Sequence, residues 1–360
     1  MVHELTRDQA RRIIVRAQLL DADRPGDVVE VAEQLGYLKI DPTAVIAPCE
    51  HTTLWSRIGW SYETGQLKKA VEDDRLLFEL DGAYRPTSLL PLMRAGMRRW
   101  PQHAGWRQWM QANEAFAKEV VARLRAEGPL RAEQIPDTAA VMLDTSDGWY
   151  GPNQVPRMLE ALSRQGVVAV TAREGRVRVW DVAERVFPQD LPAYPDDEAD
   201  RMLRERRLQA AGLAKQNSPW TRVGDAGEAA RVEGSTWKWR VDPQALERVD
   251  DEVDGRVALL NPYDGMLADR PRLKEVFEFE FVLEQFKPKA QRVYGYFAHP
   301  ILMGDRFVGL LDAAVDKKEG MLRVDAIHEL IPLEPEEMEM IRAEIAELAQ
   351  WLGVPVAEQR

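Results

Sequence analysis

Apolar positions recur at helical spacing almost from the start of the chain. Ala10, Ile13, Ile14, Ala17 and Leu20 fall on one face of a helix that begins at Thr6, where Gln9 completes a capping-box pattern. A second helix follows Pro25-Gly26. Asp27 suits its N-cap, Val28, Val31, Ala32 and Leu35 face inward, and Gly36 suits its C-terminal cap. The period then changes from helical to alternating. Tyr37–Asp41 reads as a strand stopped by Pro42, with Leu38 and Ile40 toward a core and Tyr37, Lys39 and Asp41 on the opposite, polar face. Two short helices and a strand are the opening of a helix-turn-helix domain.

The middle of the chain repeats that plan. Residues 113–126 predict a helix (Phe116, Val120, Val121, Leu124) ended by Gly128-Pro129, and 131–135 a further helical turn. Residues 154–165 predict a third helix (Val155, Met158, Leu159, Leu162) ended by Gly166. "VVAVTAREGRVRVWDV" is then two alternating strands around Glu174-Gly175, a hairpin signal. Helix, helix, helix, hairpin is a winged helix. A third unit is predicted from the helical, basic Arg201–Leu213, a helical turn in "TRVGDAGEAARVEG", and alternation around Trp237 and Trp239 with a wing near Gly234-Ser235. "RVALLNPYDGMLADRPRL" and the stretch from Arg292 to Ile327 read as strands with turns between them, and 334–352 as an acidic amphipathic helix (Met338, Ile341, Ile345, Leu348) packed on that sheet. The fold class expected is α+β: tandem winged-helix domains followed by a small antiparallel β-sheet or barrel. The domains expected are 1–112, 113–192, 193–250 and 251–360.

Composition changes this picture little; the distribution of charge changes it more. The 360 residues have room for several cores, no apolar run reaches membrane-spanning length, and the N-terminal residues carry no signal-peptide pattern. One cysteine, Cys49, excludes an internal disulfide and a Cys-rich zinc site. A reduced, cytoplasmic protein with no membrane partner is expected. The net charge of −12 argues against a uniformly basic nucleic-acid binder, yet Arg85–Arg131 carries nine Lys/Arg against three Asp/Glu, and Arg201–Arg222 six against one. From Asp312 to Gln350 the balance reverses, with eleven acids against four bases. Phosphate binding needs a local basic face, not a basic total, so repeated helix-turn-helix units with basic segments point toward duplex nucleic acid.

Signatures of nucleotide-binding loops, serine-nucleophile elbows and metal-spaced His/Cys clusters are absent, and the five histidines are isolated along the chain. No cofactor and no metal are expected. What remains is Lys39-Ile40-Asp41: two charges on one face of a strand held by packing beneath it. Spacing alone favours an exposed ion pair worth under about 1 kcal/mol, since Lys-x-Asp is common.

The stretches "TRDQARRIIVRAQLL", "LGYLKIDP", "HTTLWSRIG", "VGDAGEAARVEG", "LLNPYDGMLADRPRLKEVFEFEF" and "RVYGYFAHPILMGDRFVGLLD", in that order and nearly end to end, resemble the winged-helix DNA glycosylases of the AlkZ/YcaQ type. The resemblance implies removal of alkylated purines from duplex DNA, crosslinked ones in some members. It also implies a C-shaped arrangement of tandem winged helices around the duplex, in a monomer acting at the nucleoid. The family's catalytic motif, Gln-apolar-Gln or Gln-apolar-Asp, falls on Lys39-Ile40-Asp41. Asp41 matches the second form; Lys39 departs from both. Asp41 is then expected to position water and stabilise positive charge on the sugar. Lys39 has three readings: a charge partner that orients Asp41, an amine that attacks C1′, or the mark of altered activity. His51 and Arg57 follow as expected DNA contacts, with a structural ion pair the alternative for Arg57. Arg270 and Arg272 are expected to reach phosphates unless Asp264 and Asp269 tie them into the fold. Leu54, Trp55 and Cys49 are expected in the core. The alternative to an enzyme is a non-catalytic DNA-binding protein, favoured by the lysine at position 39.

Overall fold

The computed structural model describes residues 1–143, 152–253 and 255–358. The chain forms two compact units, Met1–Thr64 with Arg204–Arg360, and Gly65–Leu203. The boundary read from sequence at residue 112 thus falls inside the second unit, and those at 193 and 250 do not separate units. The reason lies at the N-terminus. Val2–Leu5 is a strand paired in parallel with Glu228–Val232, in register Val2↔Ala229 to Leu5↔Val232. That pairing closes the first unit over more than two hundred intervening residues.

In the first unit the helix Arg7–Ala17 starts with the expected capping box, the Thr6 hydroxyl accepting from Gln9 N–H at 3.1 Å and the Gln9 side chain accepting from Thr6 N–H at 2.9 Å. Its buried face (Ala10, Ile13, Ile14) joins Leu213, Trp239, Met266 and Leu273 in one core. Four strands lie in the order Val2–Leu5, Glu228–Val232, Trp239–Val241, Leu213–Lys215, antiparallel after the first pair. The stretch before Glu228, expected as a helical turn, holds no helix; turns and bends carry the chain from Lys215 to the strand. A second sheet has the order Val257–Leu259, His299–Met303, Arg306–Asp316, Met321–Glu329, Val356–Glu358. It is antiparallel except for its last, parallel strand, and bulges bend it at Ile301/Leu302 and Asp312/Ala313. The helix Pro335–Leu352 buries Ile341, Ile345 and Leu348, and near its end Trp351 stacks on Tyr62 and donates to the Tyr62 carbonyl at 2.9 Å.

In the second unit the order expected for residues 113–182 is realised. Helix Glu114–Glu127, a 3-10 turn Ala132–Gln134 and helix Val155–Arg164 lead into the hairpin Val168–Glu174 and Val177–Val182, joined by the short strand Leu130–Arg131. A second hairpin, Leu77–Leu80 and Ala83–Pro86, turns through Asp81 (φ 52°) and Gly82 (φ 66°). Its buried Glu79 carboxylate is held by Arg173 at 2.7 and 2.8 Å and by Arg178 at 2.6 Å, which fastens one hairpin to the other. Among the described residues no helix is long and apolar enough to cross a membrane.

One buried acid in the first unit gives the protein a pH-dependent stability. Glu344, on the terminal helix, is buried, with Arg24 at 3.8 Å. Burial raises its pKa to about 7 even though the charges of Arg24 and Arg256 pull it down. An acid whose folded value lies above its unfolded value of 4.5 costs stability while ionised, above pH 7, and that cost disappears as pH falls toward 4.5. Glu344→Gln, which mimics the neutral acid, should therefore be more stable than the parent at pH 8 and no more stable at pH 4.5. Denaturant midpoints at the two pH values check this; a gain equal at both would sink it.

Candidate active site

The candidate site begins where helix Val28–Leu35 ends. Gly36 (φ 73°) turns the chain in the left-handed region that favours glycine, and the two-residue strand Leu38–Lys39 follows. Leu38 is fully buried, the peg on which the segment is mounted, while Tyr37, Lys39, Ile40 and Asp41 are half-buried. Regular pairing thus ends two residues sooner than the alternation suggests. Pro42 has no N–H to continue it, and the Asp41 carboxylate turns back to accept the N–H of Thr43 at 2.8 Å.

The next helix, Cys49–Ile58, returns along this segment and supplies a second carboxylate. Glu50 Oε2 accepts the N–H of Asp41 at 3.4 Å. Asp41 is therefore held by its backbone and by Oδ1, and its Oδ2 makes no hydrogen bond among the described residues. Tyr263 lies within electrostatic reach of Asp41. Burial raises its phenol above the ordinary value and the negative charge of Asp41 raises it further, so the ring keeps its proton at neutral pH. Gln285 fixes the phenol by donating from Nε2 to Oη at 2.7 Å. Glu50, Tyr263 and Gln285 were missed from sequence. Glu50 carries one retrievable signal: it opens a helix one residue before His51, behind a segment already under suspicion.

His51 lies on the same helix, with Nδ1 2.7 Å from the Tyr62 hydroxyl. Burial lowers its pKa to about 4, so it is uncharged at neutral pH and would meet a phosphate as a neutral hydrogen-bond partner, not as a cation. Arg57, one helix end further on, is fully buried. Its guanidinium pairs with both oxygens of Asp264, Nη2 to Oδ1 at 3.0 Å, and donates to the carbonyl of Gln18 at 3.2 Å and to Ser56 Oγ at 2.8 Å. Of the two roles considered for Arg57, the structure displays the ion pair, and no nitrogen of it faces solvent. Asp264 also accepts Met266 N–H at 2.9 Å and the Thr53 hydroxyl at 3.4 Å. The platform under Tyr263 is thus locked to the helix that carries Glu50 and His51. Cys49 is buried, and burial together with Asp264 pushes its thiol up, as befits an inert core residue.

The two later arginines part company. Arg272 is buried, donating from Nη1 to the carbonyls of Ala211 and Leu213 at 3.2 and 3.1 Å, while Asp269 caps its helix by accepting the Arg272 N–H at 3.1 Å. Arg270 is exposed, its Nη1 on the Phe281 carbonyl at 2.9 Å and its guanidinium 5.0 Å from the Phe281 ring centre. Of the four basic residues expected at DNA, then, Arg270 alone presents a charged group to solvent. Among the described residues no group of three or more His, Cys, Asp or Glu is placed to hold a metal ion.

The site therefore offers a fixed carboxylate on a mixed α+β scaffold. The family model of AlkZ-like DNA glycosylases matches residues 32–351, and the chain belongs to that family, whose members are DNA repair glycosylases. Its fold is similar to that of the Streptomyces sahachiroi DNA glycosylase AlkZ. The TM-score is 0.66, with 15% identity over 99% of this chain and 100% of that one.

Proposed function

We propose that the chain hydrolyses the N-glycosidic bond of N7- or N3-alkylated purines in duplex DNA, as a monofunctional glycosylase acting as a monomer. Asp41 positions the water and stabilises the sugar cation. The observation that carries the proposal is the way Asp41 is held, with one oxygen and its backbone fixed and the other oxygen left to act. Cleavage builds positive charge on the sugar, and an N7-alkylated purine is already cationic and leaves without a strong acid. What the reaction lacks is an aligned water and a negative charge, and a preorganised carboxylate supplies both.

The helix–hairpin arrays support duplex binding as tandem winged helices, the repetition being the argument. The basic segments within the second unit are engaged in surface pairs: Arg98 and Arg99 with Asp196, Arg99 with Asp200, Arg125 with Glu184. Exposed pairs of this kind are worth roughly 0–1 kcal/mol, so a phosphate can take either partner's place at small cost.

Lys39 orients Asp41 and meets the phosphate backbone in this reading. A protonated amine against C1′ would oppose the developing sugar cation. The test uses duplex DNA carrying a single N7-methylguanine, with borohydride present in a parallel reaction. Free base should appear with no borohydride-trapped protein–DNA adduct. An adduct lost in Lys39→Ala would replace the monofunctional reading with a lyase. No release from folded, DNA-bound protein would favour the non-catalytic DNA binder, for which the lysine at position 39 already speaks.

A further inference from the structure

The segment between helix Arg270–Phe277 and strand His299–Met303 is long and almost without regular structure, yet it is not loose. Phe279 and Phe281 sink into the core of the first unit. The buried Glu284 carboxylate then ties both legs of the loop, accepting Val293 N–H at 2.7 Å, Tyr294 N–H at 2.8 Å and Lys287 Nζ at 2.8 Å. Gly295, at φ 110°, lets the return leg pass so close to Asp312 that a Cβ there would lie 2.1 Å from its carboxylate. Such internally braced loops are frequently functional.

On this rigid base stands Phe286, 83% exposed. A large aromatic ring held in water at the tip of a braced loop serves no core, and its neighbours define what would cover it. From residue 281 to residue 298 there are three bases, Lys287, Lys289 and Arg292, and one acid, Glu284; Lys287 and Glu284 pair with each other, which leaves Lys289 and Arg292 in excess. In a chain of net charge −12 this is a local site for a polyanion. The residue before Phe286 is Gln285, which donates to the Tyr263 hydroxyl at 2.7 Å, and that phenol feels the charge of Asp41. The loop that carries the exposed ring is therefore tied through Gln285 to Tyr263.

We propose that Phe286 is a wedge. It enters the base stack of duplex DNA beside the damaged nucleotide and fills the gap left as that nucleotide turns out toward Asp41, while Lys289 and Arg292 grip the flanking phosphates. The proposal rests on the glycosylase reading above. A base inside a duplex cannot reach a protein carboxylate, and apolar side chains are the usual means of holding the stack open. The Glu284 staple keeps the ring from folding back when it meets the stack.

The test reads unstacking without cleavage. A duplex carries the 2′-fluoro analogue of N7-methylguanosine, whose glycosidic bond resists hydrolysis, next to 2-aminopurine, whose emission rises when it loses its stacking partner. The parent chain should raise the emission on binding. Phe286→Ala should bind within about threefold of the parent yet cut the rise to about a tenth, and Phe286→Trp should restore most of it, as expected for a stacking contact. An equal rise with Phe286→Ala, or none with the saturated parent, overturns the proposal. So does a concentration-dependent dimer that Phe286→Ala abolishes, since the ring would then face a second copy of the chain. The glycosylase reading fails separately, by absence of base release from ordinary N7-methylguanine DNA.

Discussion

Asp41→Asn should release N7-methylguanine from duplex DNA about 10²- to 10⁴-fold more slowly than the parent chain, with little change in DNA affinity or stability, the range expected for loss of a positioned base. The asparagine keeps an acceptor for the Thr43 N–H, and the bond from the Asp41 N–H to Glu50 is made by the backbone, so the local fold survives the change. What disappears is the negative charge and the capacity to take a proton from water. Because the bond to be broken already has a good leaving group, the positioned carboxylate is the main contribution left to the protein. Asp41→Ala is a poorer probe, since it also removes the turn closed on Thr43. Single-turnover release at saturating enzyme isolates the chemical step, and KM should move far less than kcat. Release at the parental rate in Asp41→Asn would remove Asp41 from the mechanism and turn attention to Glu50, the other carboxylate at the site.

Much of the fold was legible because its signals are local. The Thr6–Gln9 capping box, the Asp27 cap and the Gly36 turn, and the hairpin around Glu174-Gly175 all depend on residues a few positions apart, and all are present. The Asp81-Gly82 hairpin has an equally local signal, a two-residue turn whose members both take positive φ. The parallel pairing of Val2–Leu5 with Glu228–Val232 was beyond reach, because nothing near either strand refers to the other. The site divides in the same way. Leu38 as the buried peg under a polar segment follows from alternation. The fates of the arginines do not: Arg57, Arg270 and Arg272 look alike in sequence, and only the partners of Arg57 and Arg272, Asp264 and Leu213, more than fifty residues away, mark those two as buried ties. Tyr263 gains its meaning from Asp41, which no spacing rule connects to it.

The second large effect lies beneath the site. Arg57→Met should destabilise the protein by about 3–5 kcal/mol, because it leaves the Asp264 carboxylate buried without its counter-ion. The methionine fills much of the volume of the arginine stem, so a cavity contributes little and the loss reports on charge. Asp264 is 1% exposed and retains only the Met266 N–H and the Thr53 hydroxyl, two neutral donors for a full charge. Adding Asp264→Leu to Arg57→Met removes the orphaned charge and should recover part of the lost stability, since a buried pair exchanged for apolar groups is often near neutral. Recovery stays incomplete because Asp264 also caps the turn at Gly265–Leu267, next to Tyr263. Denaturant titrations of the parent, both single variants and the double variant give the coupling directly. A loss under about 1 kcal/mol in Arg57→Met would mean that the pair contributes no more than a surface bridge, and that Arg57 could be drawn out toward DNA at small cost.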